Sequence, residues 1–348
     1  MIPTSPAAFT PGWLAEKLGA AHDSLRGFTA RPLGTGQMCD SFRLTLDWNG
    51  PGLGPATIIA KCPSHDQRSL NIARALTNYV KEVSWYRELA ALTSVPRPHC
   101  HHAEIAENGV DFALLLGDCA PASQADQLAG AGPAQLLPAI EALSSLHAPF
   151  WNSDVTARHP WLAHDSRDLI ITMLPTLAEG FADRYAARLA PDIIDLARAF
   201  AADVGRYLDW QGSAATVVHG DFRLDNLPFA PDGRSLYVVD WQTLGFGCPF
   251  ADLAYLIGTS IPVAAERAAS EKNLFDRYLA ALAQKGVETN PAAAWADYRV
   301  YALSGVMMAI FASMNVERTP RGDEMFAVMA ERPARQALAL GSLGMLRG

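Results

Sequence analysis

The sequence predicts an α+β fold with two unequal lobes, a small strand-rich one followed by a larger helical one. Two observations carry this. Apolar residues in the first third recur with period two, as in half-buried strands, apart from two helical stretches. From about Gln135 onward the chain reads as mostly helical to its end, the exception being an island of short strands around residues 216–240.

Taken in order, Thr10-Pro11 opens the first helix, a hydroxyl N-cap followed by a proline where no amide donor is needed. Phe42, Leu44, Leu46 and Trp48 alternate with Arg43, Thr45 and Asp47, which reads as a half-buried strand. The turn-rich Asn49–Pro55 and a second strand, Thr57–Lys61, complete a hairpin. From Ser69 to Leu92 the period is helical, with Ile72, Leu76, Tyr79, Val83, Tyr86 and Leu89 on one face. A second hairpin over Ile105–Leu116 turns at Asn108-Gly109, a pair suited to positive φ. The segment Gly117–Ser123 (GDCAPAS) is the natural joint, which divides the chain into residues 1–117 and 118–348.

Half of the 348 residues are apolar and 18% are charged, ample for a large buried core. Formal charge is 28 − 36 = −8 with no run of Lys or Arg, which speaks against a nucleic-acid partner, since that needs a basic face. Cys39, Cys62, Cys100, Cys119 and Cys248 are odd in number and never spaced as CxxC, so reduced thiols in a cytoplasmic protein are expected. The neighbours His99, Cys100, His101 and His102 tempt a zinc reading, but adjacent residues in an extended segment converge poorly on one ion. The N-terminus lacks the basic and apolar regions of a signal peptide. The longest apolar stretch, Val300–Met314, falls short of the ~20 residues that span a bilayer, so a buried helix and no membrane partner are expected.

The segment from Val217 to Leu256 carries the chemistry. Two β-like runs, Thr216–Val218 and Leu236–Val239, lead into His219-Gly220-Asp221 and Asp240. Between them lie Asn226, a short strand at Leu227–Phe229 and a Pro-Asp-Gly turn at 231–233. Such a hairpin brings Asp221, Asn226 and Asp240 to one end of a small sheet. Two carboxylates and an amide oxygen there can serve a hard cation and leave one carboxylate as a base. The bland alternative is an ordinary hairpin with solvated acids.

This segment resembles the Brenner motif, HxDxxxxN followed by an Asp strand, of aminoglycoside phosphotransferases, choline kinases and protein kinases. His219 and Asp221 match the HxD pair, Asn226 stands five residues after Asp221, and Asp240 matches the metal-binding Asp. Asp252, twelve residues further on, resembles the helical Asp that braces the catalytic loop. The resemblance implies a protein-kinase-like two-lobe fold whose small β-rich lobe holds one key helix, with ATP and Mg²⁺ as cofactors. It implies that Lys61 holds the ATP phosphates, that Glu82 positions Lys61, and that Gly34, Gly36 and Ser41 belong to a phosphate-covering loop. Gly117 and Cys119, in the joint, would contact adenine through their backbone. Arg223 stands where protein kinases carry a phosphate-touching Lys; pairing with Asp225 is the alternative. His147 resembles a family LxxLH element and is read as a buried structural histidine. The HGDFRLDN and DWQ strings also resemble the ecdysteroid-kinase-like branch, and similar loops occur in kinase-like domains attached to some acyl-CoA dehydrogenases.

The implied reaction is transfer of the γ-phosphoryl group to a hydroxyl of a small molecule, with Asn226 and Asp240 holding Mg²⁺ and Asp221 taking or orienting the hydroxyl proton. Trp151, Trp161, Phe181, Tyr185, Tyr301, Met307, Met308 and Phe311, without dense acids, favour a largely apolar acceptor. The rival is a pseudokinase that binds without catalysis; its usual signature, loss of Lys61, Asp221 or Asp240 equivalents, is not present.

Overall fold

Leu44 and Leu46, two residues apart, face the same way from one strand, and Ile58 and Ala60 do so from its neighbour; all four are buried in one cluster. These residues belong to a computed structural model that describes residues 2–33, 38–163, 166–316 and 318–348. The chain divides into two units, one of Met1–Leu92, Arg97–Pro121 and Val239–Gln242, the other of Thr93–Pro96, Ala122–Val238 and Thr243–Gly348.

The first unit is built on an antiparallel five-stranded sheet of β1 (Leu25–Pro32), β2 (Cys39–Trp48), β3 (Thr57–Pro63), β4 (Cys100–Ile105) and β5 (Phe112–Gly117), ordered β1-β2-β3-β5-β4. Helix α1 (Pro11–Lys17) starts where Thr10 Oγ1 accepts the Trp13 amide at 3.2 Å, and it adds Leu14 and Ala15 to the cluster. The second hairpin turns at Gly109, with φ of 69°, while Asn108 Oδ1 accepts the amides of Val110 and Asp111.

Two expectations change here. Strand β1 was not anticipated: only Leu25 in it is buried, so an edge strand of this kind shows no alternation. The single helix expected over Ser69–Leu92 is broken into α2 (Gln67–Ala75) and α3 (Asn78–Ser84) at Thr77, which has φ of 56°. A π-helical turn, Trp85–Leu89, and a 3₁₀ turn, Ala90–Leu92, finish the stretch. Of the residues on the expected apolar face, Tyr79, Val83, Tyr86 and Leu89 are buried, whereas Ile72 and Leu76, before the break, are half-buried.

The second unit is mainly helical: α4 (Leu137–His147), α5 (Val155–Arg158), α6 (Arg167–Tyr185), α7 (Pro191–Ala202), α8 (Val204–Leu208), α9 (Pro249–Ser260), α10 (Ala264–Gln284), α11 (Pro291–Tyr301), α12 (Ser304–Asn315), α13 (Pro320–Leu340) and α14 (Ser342–Arg347). Helix α9 is buried along almost its whole length and packs against α4, α10, α11, α12 and α13. The stretch Val300–Met314 falls across the end of α11 and most of α12. Among the described residues, no helix is long and apolar enough to cross a membrane.

The hairpin expected between Thr216–Val218 and Leu236–Val239 does not form. Strand β7 (Thr216–Val218) pairs instead with β9 (Gly245–Gly247), and β6 (Ser123–Gln124) pairs with β8 (Pro228–Phe229). Leu236 retains one bridge to Phe229, and the Val238 amide donates to the Pro96 carbonyl at 2.8 Å. A backbone donor taken by a loop carbonyl is lost to a ladder.

Leu44 lies in the middle of the first unit's core with no exposure. Leu44→Ala should lower unfolding stability by about 2–5 kcal/mol, the cost of a cavity that neighbours only partly refill. Urea unfolding followed by circular dichroism measures it, and a loss below about 1 kcal/mol would mean that this sheet face repacks freely.

Candidate functional site

Each unit carries its own polar constellation. In the first, β3 delivers Lys61 to an almost fully buried position, where an ammonium must be matched by carboxylates. Lys61 Nζ lies 2.7 Å from Glu82 Oε1, on α3, and 2.9 Å from Asp240 Oδ1. Burial opposes the ammonium charge, yet Asp240, Cys39 and Glu82 together hold its pKa well above the usual lysine value. Burial also pushes the Glu82 carboxyl upward, against the downward pull of Lys61.

Asp240 is held by its neighbours in sequence. Its backbone has φ of 67°, in the left-handed region that costs a non-glycine residue. Gln242 Nε2 donates to Asp240 Oδ2 at 3.0 Å, and the Trp241 amide donates to Glu82 Oε1 at 3.3 Å. The buried Trp241 ring stacks on Trp85, in the π-helical turn, with centroids 4.2 Å apart and planes 21° apart. Cys39, buried at the start of β2, feels Lys61, Glu82 and Asp240 electrostatically; its thiol pKa is pushed up to about 12, burial outweighing the pull of Lys61.

Ser41 does not belong to a loop, as the glycine-loop expectation had it. It sits inside β2, opposite Lys61 in the register of β2 and β3, because β2 starts earlier than the apolar alternation indicates. Gly34 and Gly36 lie outside the described residues. The amide of Gly117 donates to the His99 carbonyl at 2.7 Å, and Asp118 pairs with Arg43 at 3.1 Å. Cys119 is half-buried beside them. His102 Nε2 lies 3.1 Å from Glu104, and among the described residues no group of three or more His, Cys, Asp or Glu side chains is placed to hold a metal.

In the second unit, the loop after β7 gathers His219, Asp221, Arg223 and Asn226. Asn226 Nδ2 donates to Asp221 Oδ2 at 2.8 Å and to the Asp221 carbonyl at 2.9 Å, leaving the amide oxygen of Asn226 free to face elsewhere. Arg223 Nε lies 3.1 Å from Asp221 Oδ1, and its Nη1 donates to Asp225. Arg223 is therefore engaged with both acids, not with Asp225 alone. Burial opposes its charge, but Asp221 above all keeps the guanidinium pKa above its ordinary value. Asp225 is itself tied back, its carboxylate accepting the Gln127 amide at 3.3 Å and its carbonyl accepting from Gln124 Nε2 at 2.9 Å.

Asp252, on α9, organises this loop. Its Oδ2 accepts the His219 amide at 2.6 Å and its Oδ1 the Gly220 amide at 2.9 Å. His147 Nε2 lies 3.3 Å from Asp252 Oδ2, and its Nδ1 lies 2.6 Å from the Tyr278 hydroxyl. Burial would raise the Asp252 carboxyl, but these partners hold it below the ordinary aspartate value. Gly220 has φ of 81°, and a Cβ there would come within 2.5 Å of the Thr243 carbonyl oxygen, so only glycine fits. Thr243 Oγ1 in turn donates to the His219 carbonyl at 2.8 Å.

Three participants escaped the sequence reading: Tyr255, Thr243 and Trp85, the stacking partner of Trp241. Tyr255 had a signal, since it follows Asp252 by one helical turn and so shares its face. The others follow from three-dimensional contact alone.

A family model described as the phosphotransferase enzyme family matches residues 68–301, more than half of the chain. Acyl-CoA dehydrogenase family member 10 of Mus musculus is 50% identical over 54 residues, 14% of this chain and 5% of that protein. Acyl-CoA dehydrogenase family member 11 of Rattus norvegicus is 51% identical over 41 residues, 12% of this chain and 5% of that protein. The chain thus matches about a twentieth of the length of these curated relatives. Among solved structures, a choline kinase from Streptococcus pneumoniae aligns with a TM-score of 0.53 at 13% identity, covering 91% of this chain and 95% of that one. An ethanolamine kinase of Plasmodium vivax gives 0.53 at 9% identity, covering 88% and 82%. An aminoglycoside 2′-phosphotransferase in complex with GDP gives 0.54 at 14%, covering 88% and 92%. At such identities the likeness concerns the fold, and it is the expected α+β, protein-kinase-like one: a five-stranded antiparallel sheet with a mostly helical body.

Asp252→Ala should cost about 3 kcal/mol at neutral pH, because two buried amides lose their acceptor. The depressed pKa fixes the sign of its acid dependence. The carboxylate's stabilisation is fully present above the ordinary value of 3.8 and is lost as pH falls through the lower folded value. Urea unfolding at neutral pH and below pH ~4 should therefore show the gap between wild type and variant closing in acid. A gap independent of pH would deny Asp252 this role.

Proposed function

The chain belongs to the phosphotransferase enzyme family, and from that premise we propose that it transfers the γ-phosphoryl group of ATP to a hydroxyl of a small, largely apolar molecule. The observation that carries this is the buried Lys61, charge-matched at once by Glu82 and Asp240. An ammonium carries three donors, and two of them are used here, so one remains to meet a phosphate oxygen. Oxygen donors of the kind a hard cation takes are present in each unit by itself, a carboxylate on Asp240 in the first and the amide oxygen of Asn226, whose Nδ2 is committed to Asp221, in the second. Mg²⁺, when bound, supplies neutralisation of phosphate charge.

In this reading Asp221 orients the acceptor hydroxyl and receives its proton, while His219, Gly220 and Asp252 hold the loop. Arg223 keeps Asp221 in place through its Nε. The Gly117 amide is already donated to His99, so adenine contact in the joint is assigned to the Gly117 carbonyl and the backbone of Cys119. The apolar character of the acceptor draws support from α12, where Met307, Met308, Phe311 and Met314 are all partly exposed; Phe181 and Tyr185, by contrast, are core. A panel of hydroxylated metabolites incubated with ATP and Mg²⁺, with products read by mass spectrometry, tests the acceptor class. Products confined to cationic or sugar acceptors would overturn the apolar assignment.

Two mutants separate binding from chemistry. MgATP should raise the melting temperature of wild type by mass action, and Asp240→Ala should remove the Mg²⁺-dependent part. Absence of any shift in wild type at millimolar MgATP would remove the first requirement of the proposal.

Asp221→Asn should instead lower kcat by about 10²–10⁴-fold with nucleotide affinity nearly unchanged, since a positioned base acts mainly on the chemical step. Near wild-type turnover with chemistry rate-limiting would show that Asp221 is not the base.

A further inference from the structure

We propose that Tyr255 is a positioning residue that saturates one oxygen of Asp221 and so turns the other, Oδ2, toward the acceptor hydroxyl. The inference rests on the phosphotransferase reading for its chemistry, and on hydrogen-bond geometry alone for its structural part. The Tyr255 hydroxyl donates to Asp221 Oδ1 at 2.8 Å. Arg223 Nε reaches the same oxygen at 3.1 Å and Oδ2 only at 3.3 Å, while Asn226 Nδ2 reaches Oδ2 at 2.8 Å. A carboxylate oxygen accepts about two hydrogen bonds. The one N–H on Arg223 Nε is shared between the two oxygens and leans toward Oδ1, so Oδ1 is filled by Tyr255 and Arg223 while Oδ2 takes one full bond, from Asn226, and only the weaker branch of the shared one. The Asp221 side chain is 16% exposed, so a small molecule can reach it.

Tyr255 is well suited to this task. Its ring is buried in α9, one turn beyond Asp252, which accepts the His219 and Gly220 amides. One helix face thus holds the backbone of the loop through Asp252 and its carboxylate through Tyr255. The turn below is held too: Thr259 Oγ1 donates to the Tyr255 carbonyl at 2.7 Å, and Gln127 Nε2 donates to the Thr259 carbonyl at 2.9 Å. Burial, and then the charge of Asp221, push the Tyr255 phenol well above its ordinary pKa, which keeps the hydroxyl a donor at neutral pH.

The test is a double-mutant cycle on MgATP turnover, with water as the probe acceptor, in wild type, Tyr255→Phe, Asp221→Asn and the double variant. Tyr255→Phe should lower kcat about ten- to a hundredfold, as expected when a reacting group is misplaced, with the KM for MgATP and the thermal shift by MgATP unchanged. In the Asp221→Asn background the same change should have little further effect, because Tyr255 acts through Asp221. An equal loss in both backgrounds would overturn the proposal, since a merely structural tyrosine would cost the same in each. A crystal structure of Tyr255→Phe decides the geometric part without any turnover: the Asp221 carboxylate should occupy a second rotamer, and an unmoved carboxylate would overturn the assignment. Wild type that neither binds nor hydrolyses MgATP would sink the phosphotransferase reading instead, and the crystal structure would still judge Tyr255.

Discussion

An ion removed from water costs several kcal/mol unless a partner and hydrogen bonds replace its hydration, and that cost shapes both polar constellations. In the first unit one ammonium stands against two carboxylates, drawn from a strand, a helix and a distant loop: Lys61, Glu82 and Asp240. Loss of Lys61 would leave the buried Glu82 carboxylate without its cation, whereas loss of Asp240, the more exposed acid, leaves Lys61 still paired with Glu82. In the second unit Arg223 bridges Asp221 and Asp225, and the buried Asp252 is matched by His147 and two amides. Hydrophobic patterning builds the sheet and the helices. Charge pairing decides where the loops between them end.

The backbone yields where pairing requires it. Asp240 takes a left-handed conformation that its side chain disfavours, and Gly220 takes one that only glycine tolerates at so close an approach to Thr243. Strain of this kind persists only when surrounding contacts over-determine it. Around Asp240 those contacts are the bonds from Lys61 and Gln242 and the stacking of Trp241 on Trp85. Around Gly220 they are Asp252 and Thr243.

Much of this was legible in the chain. Alternation at Leu44 and Leu46 marks a half-buried strand, and the spacing of His219, Asp221, Asn226 and Asp252 marks a set of polar residues that the second unit does gather around one loop. Lys61 and Glu82 are ordinary residues in isolation, and only their order before that loop singled them out. What was not legible is what periodicity does not encode. Edge strand β1 buries too little to alternate, and Thr77 breaks a helix without interrupting the apolar spacing of the sequence. The pairing of β7 with β9 depends on which distant donors reach which carbonyls. Tyr255 stood in plain sight at one turn from Asp252, but a tyrosine on a buried helix reads as core until its hydroxyl is seen to have a partner.

The setting of Cys39 bears on thiol chemistry. A cation nearby ordinarily stabilises a thiolate and makes a cysteine nucleophilic. Here Lys61 is within electrostatic reach, yet the ammonium is already shared between two carboxylates and burial outweighs its pull, so the sulfur stays protonated. Alkylating reagents and peroxides attack the thiolate, so Cys39 is chemically quiet at neutral pH. The charge cluster of Lys61, Glu82 and Asp240 is thereby kept beside a sulfur without that sulfur becoming a point of attack for oxidants.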